Sequence, residues 1–403
     1  MKDVINFAWP VTSVNREDYL AFKKWFDRNR ALLEENMVII WGAGIRGTEF
    51  SLFFKKLLNN NICFTDSNVD KWGGRIDEFP IISIEEAEAQ VKKGGAKILI
   101  STENSRAIEQ KLETKGYQRN IDFFVIKTDL YQKYFKEYLE DHTEHALIMS
   151  DCEFLTISVH DTNWDTLEDM IKKKNLGISV KSLAMHGMGL RAQYMIFREQ
   201  IISGKLPKVL GVMINFDTLT GKQHLLPRSQ HVELFKLICE NCECSREFNE
   251  YFHLTEQRSK NLQVEFLTEK RTNGIEDIAT KSRNYFKINY LYRLDMETEG
   301  IVYLKEMIKL AQEYEIKTFY FIPPINYVWG REVVGETFDQ RYKENVQKVF
   351  TLLENETIID FSYKYTPDFF AEPTTPDETV NEKGRESMAN ILCDEILNKV
   401  SGK

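Results

Sequence analysis

The sequence predicts an α/β protein of two doubly wound parallel-sheet domains, one following the other along the chain, and three observations predict it. The chain has 403 residues, more than the roughly 250–300 at which a single hydrophobic core stops growing. Short apolar runs alternate with amphipathic stretches in both halves, the rhythm of strands joined by helical crossovers. Those runs are nearly continuous rather than alternating, as strands buried on both faces require.

Composition narrows the class. With 42% hydrophobic and 29% charged residues the chain is globular rather than disordered. A formal charge of −9, with acids and bases interleaved, leaves no basic face to neutralise a phosphate backbone, so nucleic acid is not an expected partner. The start, MKDVINFAWPVTSVNREDY, lacks the apolar core of a secretory signal, and no run reaches the ~18 apolar residues of a membrane span. A cytoplasmic protein is expected. Cys63, Cys152, Cys239, Cys242, Cys244 and Cys393 form no disulfide framework and read as free thiols. The CxxCxC of Cys239, Cys242 and Cys244 has no second cluster to complete a four-ligand zinc site, so it reads as a helix end and no metal is expected.

In order along the chain, residues 15–36 read as a helix opened by Asn15, Glu17 and Asp18, with Tyr19, Leu20, Phe22, Trp25 and Phe26 at helical spacing. MVIIWGAGIRGTEFSLFFKKLL then gives an apolar run, a glycine-rich turn and an amphipathic helix, the opening of a doubly wound sheet. Further strands are expected in ICFTDS, AKILIST and IDFFVI, with helices around 84–91 and 105–116 between them. The first domain, 1–127, thus holds a sheet of four or five strands. Residues 128–144 are charged and helical, a connector. From 145 to 403 the runs ALIMSDCEF, GISVKSLAM, KVLGVMINF, KTFYFIPPI and ETIIDFS predict a second buried parallel sheet. A polar and aromatic insertion at about 217–300 is expected to form helices capping it.

Gly42, Gly44 and Gly47 make GxGxxG between a strand and a helix, where glycine permits a tight turn and lets a phosphate approach the helix amino terminus. Asp66 ends the second run, where a carboxylate can accept a ribose hydroxyl. A nucleotide, a nucleotide-sugar or NAD would fit such a turn. The other reading is that the glycines only allow close strand–helix packing and Asp66 caps the next turn; Trp72 either stacks on a base or packs. No residue set for hydride transfer is present, so NAD rests on the glycine motif alone. The run IIWGAGIRG … CFTDSNVDKWGG … FPIIS … AKILIST resembles the small Rossmann-like domains attached to bacterial sugar-modifying and glycan-assembly enzymes, over about residues 37–126. The resemblance implies a nucleotide-sugar ligand.

In the second region, Ser150-Asp151-Cys152-Glu153 follows the first run, His186-Gly187-Met188-Gly189 the second, and Asn215-Phe216-Asp217 the third. This order of blocks resembles the SGNH/GDSL hydrolases, whose sheet is flavodoxin-like and whose serine nucleophile follows the first strand. The run FIPPINYVWG is similar to the subgroup that includes the D-alanyl transfer protein of teichoic acid synthesis and alginate acetylation proteins. The resemblance implies that Cys152 stands in the place of the nucleophile, a chemistry a thiol can perform. Backbone N–H of Gly187 or Gly189 and the side-chain amide of Asn215 would then hold the oxyanion.

The last block departs from the pattern. Residues 372–385 keep Asn381 and Gly384 but have no histidine, and losing a positioned base forfeits roughly 10²–10⁴-fold. Three readings stay open: Cys152 activated by His186 or another histidine; Asp377 or Glu378 as base; or a fold that has kept its shape and lost the reaction. Asp377 and Glu378 also read as N-cap and first-turn acids of the last helix. The resemblance implies an acyl esterase or O-acyltransferase acting on a sugar or nucleotide-sugar in bacterial surface-glycan synthesis. A non-catalytic nucleotide-sugar- or glycan-binding partner of glycan-pathway enzymes is the alternative, and a homo-oligomer fits either. Tyr285, Phe286, Tyr290, Tyr292, Tyr327 and Trp329 line a sugar cleft or belong to the core.

Overall fold

The computed structural model describes residues 13–57, 61–102, 105–126, 130–139, 144–185, 187–219, 229–268, 277–376 and 378–402. The protein is mixed α/β with parallel sheets. By its contacts the chain divides into two compact units, 1–128 with 259–277, and 129–258 with 278–403.

In the first unit the strands are β1 (Ser13–Asn15), β2 (Met37–Trp41), β3 (Ile62–Thr65), β4 (Arg75–Ile76), β5 (Phe79–Ile82), β6 (Ala96–Ile100) and β7 (Phe123–Val125). Strands β2 to β7 form one sheet in the order β4-β5-β3-β2-β6-β7, parallel except for the short β4–β5 hairpin. Successive side chains of a strand point to opposite faces, and β2 shows the result. Val38 and Ile40 enter one core layer, Ile39 and Trp41 the other. On the first face lies the helix Arg16–Glu35, capped by Asn15, whose side chain accepts the amide of Asp18 at 3.1 Å. Phe22 and Phe26, one turn apart, are its buried stripe, and Phe22 stacks on Phe50 with centroids 4.4 Å apart. Each such phenylalanine contributes about 1.5–3 kcal/mol by burial.

Strands β4 and β5 were not among the expected ones. Pro80 hides β5, because a proline inside a run lacks a ladder donor and signals an edge; here its side is exposed beside the marginal β4. The run ICFTDS is a strand only to Thr65, so Asp66 opens the turn rather than ending the strand.

The second unit carries β8 (His145–Ser150), β9 (Thr156–Ser158), β10 (Ser179–Ala184), β11 (Val209–Met213), β12 (Lys317–Ile322) and β13 (Ile358–Asp360). Five of these form an all-parallel sheet in the order β10-β8-β11-β12-β13. Every residue of β8 and β11 is buried, which accounts for the apolar run Ala146–Met149 and for the apolar sequence of β11. The expected insertion is helical: Phe216–Leu219, Ser229–Asn241, Arg246–Thr268 and Ile278–Asn289. Phe235, Phe248 and Phe286 from these helices are fully buried in the same core as the sheet.

Candidate functional site

Chain order along the second sheet reverses between β8 and β11. From β8 the chain crosses to β10 on one side, then returns to lay β11 on the other. In open parallel sheets the crevice beyond the carboxyl ends at such a reversal is the usual ligand position, because the two connecting loops diverge there. Register aligns these ends, with Ser150 opposite Ala184 and Met149 opposite Val212. The segments that start at Asp151, Met185 and Ile214 therefore leave the sheet at one edge.

Hydrogen bonds tie these segments together. Asp151 caps the single turn Cys152–Leu155 by accepting the amide of Glu153 at 3.1 Å. Gln193, buried in the helix Leu190–Ile202, donates to the carbonyls of Met188 at 3.0 Å and Ser150 at 3.3 Å, linking the β10 loop to the end of β8. Asn215 is 1% exposed, and its Nδ2 donates to Asp151 Oδ2 at 2.8 Å and to Glu378 Oε1 at 2.6 Å. The amide of Asp217 donates to Asn215 Oδ1 at 3.1 Å, so the side chain is held at both ends. Glu378 Oε2 accepts the phenol of Tyr290, and Thr379 donates to Glu153 at 3.0 Å. Thr379 thereby holds Glu153 directly, and Glu378 is joined to Asp151 through Asn215, so the loop ties to the residues on either side of Cys152.

Both carboxylates are buried, Asp151 at 3% and Glu378 at 6% exposure, and a buried carboxylate needs such donors to keep its charge. Tyr290 is equally buried; burial first, then the nearby Glu378, raises its pKa well above that of a free phenol. It stays protonated and donates.

The loop carrying Glu378 is fixed from below. Ala371 donates its amide to the Thr379 carbonyl at 3.0 Å, and Asn326 donates to the carbonyls of Pro373 and Thr375 at 2.9 and 3.2 Å. Arg385, 1% exposed at the start of the helix Glu382–Ser401, pairs with Asp161 at 2.7 Å and donates to the carbonyls of Asn163, Asp165 and Val380. The helix cap is Asn381, which accepts the amides of Lys383 and Gly384 at 3.1 and 3.3 Å. This corrects the reading of Glu378 as a capping acid: it lies too far ahead of the first helical turn and turns inward instead.

The expected site residues divide accordingly. Cys152 is half-buried and forms no disulfide. Gly187 takes φ +63°, a left-handed conformation that favours glycine, and Gly189 caps the helix Leu190–Ile202 without a side-chain bond. That helix end presents backbone N–H groups, the kind of donor an anion or oxyanion takes. Asn215 gives both amide protons to carboxylates, where an oxyanion role would require one of them. His186 and Asp377 lie outside the described residues. Asp151 and Tyr290 enter as site residues the block pattern passed over; the one available signal was an acid placed directly after a buried strand.

In the first unit the glycine-rich turn follows β2. Gly42 has φ +122°, and a Cβ on Gly47 would stand 1.9 Å from the Gly42 carbonyl oxygen, so both need glycine for the turn and the helix approach. Gly44 meets nothing within 4 Å. Asp66 accepts the amide of Ala43 at 2.7 Å, that of Asn68 at 2.8 Å and the ammonium of Lys71 at 3.0 Å, while Lys71 also donates to the Ala43 carbonyl at 2.7 Å. Asp66 thus clamps the turn itself. Trp72 packs against both core layers and donates to the Asp66 carbonyl at 2.8 Å.

The thiols of Cys239 and Cys244 are hydrogen-bonded to each other, and burial pushes Cys244 up to about 12. Among the described residues no group of three or more His, Cys, Asp or Glu side chains is arranged to hold a metal ion, and no helix is long and apolar enough to cross a membrane. Phe286 and Tyr290 are core residues; Tyr285, Tyr292, Tyr327 and Trp329 are half-buried against that core. Comparison with protein-family models and with curated proteins finds no match to this chain.

Proposed function

We propose that the second unit is an SGNH-like acyl esterase or O-acyltransferase acting on a sugar or nucleotide-sugar, as in bacterial surface-glycan synthesis. The observation that carries this reading is the Asn215 bridge between Asp151 and Glu378 at the β8/β11 reversal, which sets a carboxylate loop against the turn that bears Cys152. In the reaction the Cys152 sulfur attacks the ester carbonyl, the C–S bond forms, and the acyl–oxygen bond breaks as the alkoxide takes the thiol proton. Water, or an acceptor hydroxyl, then cleaves the thioester. In this reading Glu378, which already accepts from Asn215 and Tyr290, is the carboxylate assigned to the proton relay, and the amino-terminal amides of Leu190–Ile202 are the donors for the oxyanion. The first unit, read as Rossmann-like, supplies a nucleotide or nucleotide-sugar site at Gly44, where the turn is open.

Hydrolysis of a chromogenic acetyl ester tests this. Wild-type protein should turn over, Cys152→Ala should lose nearly all of that rate with the nucleophile, and equal rates would sink the proposal. A non-catalytic glycan- or nucleotide-sugar-binding role is the second reading. It is favoured by the Asn215 amide having both protons engaged. Under it Cys152→Ala leaves sugar binding unchanged and no ester is cleaved by either protein.

A further inference from the structure

The three thiols of the CxxCxC run take no part in the proposed reaction, yet the fold gathers them. Cys239 lies in the last turn of the helix Ser229–Asn241, and Cys244 just ahead of the helix Arg246–Thr268. The link between these helices is pinned at both ends. Cys242 donates its amide to the Ile238 carbonyl at 2.8 Å. Ser245 donates its amide at 2.9 Å, and its hydroxyl as well, to Glu199, a carboxylate only 1% exposed. Asn249 donates to the Cys244 carbonyl at 3.2 Å. The chain so held returns the Cys244 thiol to that of Cys239, and the two share a hydrogen bond.

The remaining cysteines are placed differently. Cys63 and Cys393 are buried, and the Cys63 thiol bonds to Met37 Sδ at 3.8 Å. Cys152 belongs to the strand-end site. Cys239, Cys242 and Cys244 are half-buried rather than sealed. Cys242, between the pair in sequence, lies near the ammonium of Lys205. The pair itself is unequal. Burial raises both thiols, but their shared hydrogen bond favours the thiolate of Cys239 and opposes that of Cys244. Cys239 is therefore the sulfur that ionises first, and Cys244 the one that keeps its proton.

We propose that Cys239 and Cys244 form a reversible dithiol–disulfide site whose reaction partner is a low-molecular-weight disulfide of the glutathione class. The Cys239 thiolate attacks one sulfur of that disulfide; a mixed S–S bond forms, and one small thiol leaves with the proton that Cys239 gave up. Cys244, already against Cys239, then attacks the Cys239 sulfur. The Cys239–Cys244 bond forms, and the second small thiol leaves with the Cys244 proton. Two protein thiols are oxidised and one small disulfide is reduced to two thiols. Because only the thiolate attacks and burial disfavours it, exchange is slow at neutral pH and quickens as pH rises. In a reducing compartment such a pair is transient rather than structural. The site does not rest on the proposed enzymatic reading.

The test is disulfide mapping of the full wild-type chain after exposure to oxidised glutathione, once folded and once unfolded in urea. Unreacted thiols are alkylated, and the protein is cut after glutamate. Cleavage after Glu240 and Glu243 puts Cys239, Cys242 and Cys244 on three separate fragments, so each linkage has its own mass. In the folded protein the Cys239–Cys244 pair should be the main linkage, should form faster as pH rises, and should be lost on reduction with dithiothreitol. In urea its excess over linkages to Cys242 should disappear, because the unfolded chain no longer holds the two sulfurs together. A folded protein whose main linkage involves Cys242 would overturn the proposal. So would the same mixture folded and unfolded, or mixed disulfides with glutathione and no internal linkage.

Discussion

The glycine-rich turn of the first unit and the strand-end site of the second sit at equivalent places, each at the carboxyl ends of a parallel sheet where strand order reverses. They are held in opposite ways. The first is held over a short span: Ala43, Asp66 and Lys71 satisfy one another across the ends of β2 and β3, with Ser101 from the end of β6 donating to the Gly42 carbonyl at 3.2 Å. The second is assembled from far-apart segments, since Asn215 joins residues 64 and 163 positions away and Tyr290 comes from the helical insertion. A local turn is stable by its own stereochemistry, whereas a distributed site depends on whatever anchors its most distant part.

That anchor is Arg385, and its removal gives the largest expected effect. Arg385→Met leaves Asp161 buried without its charge partner, a loss of roughly 3–5 kcal/mol to be read from urea unfolding. A loss well under 1 kcal/mol would mean that the last helix is held without it, and the contrast between local and distributed sites would weaken. Next comes Gly47→Ala, whose Cβ would run into the Gly42 carbonyl oxygen. The expected cost is the upper part of the ~1–3 kcal/mol range for overpacking, confined to a first-unit transition that can be followed by Trp41 and Trp72 fluorescence.

Acid should act on the second unit through Glu168. Burial by itself would raise the pKa of this carboxyl; Lys133 and Lys172, at 2.8 and 2.6 Å, outweigh that and hold it below its ordinary value. The unfolded chain therefore binds this proton more readily. The contribution is complete above the unfolded value of about 4.3 and is lost as pH falls through the lower folded value. Urea midpoints between pH 7 and pH 3 should fall more steeply for wild type than for Glu168→Gln, and parallel curves would remove Glu168 from the account.

The smallest effect is expected at Gly44→Ala, because nothing lies within 4 Å of the added carbon. Stability should change by less than about 0.5 kcal/mol. Thermal shift with UDP-sugars and with NAD then reads ligand binding free of folding damage, and an unchanged shift in the variant would remove Gly44 from any phosphate site.

Periodicity and capping chemistry made much of the secondary structure legible. The apolar runs that became β2, β8, β11 and β12 are buried on both faces, and Asn15 caps the first helix because its side chain reaches an amide only three residues away. Local pattern was also enough to mark the glycine turn. It was not enough for Pro80, where a run interrupted by proline still forms a strand beside a two-residue edge.

What the sequence determined by itself is the alternation of strand and helix and the positions where the chain must turn, since these follow from backbone stereochemistry and side-chain spacing over a few residues. Only the tertiary structure decided that Glu378 faces inward to Asn215 and Tyr290 rather than capping a helix, and that Asp66 clamps its own turn. Those outcomes depend on which buried donors the fold brings within about 3 Å of a carboxylate, a distance that spacing along the chain does not encode.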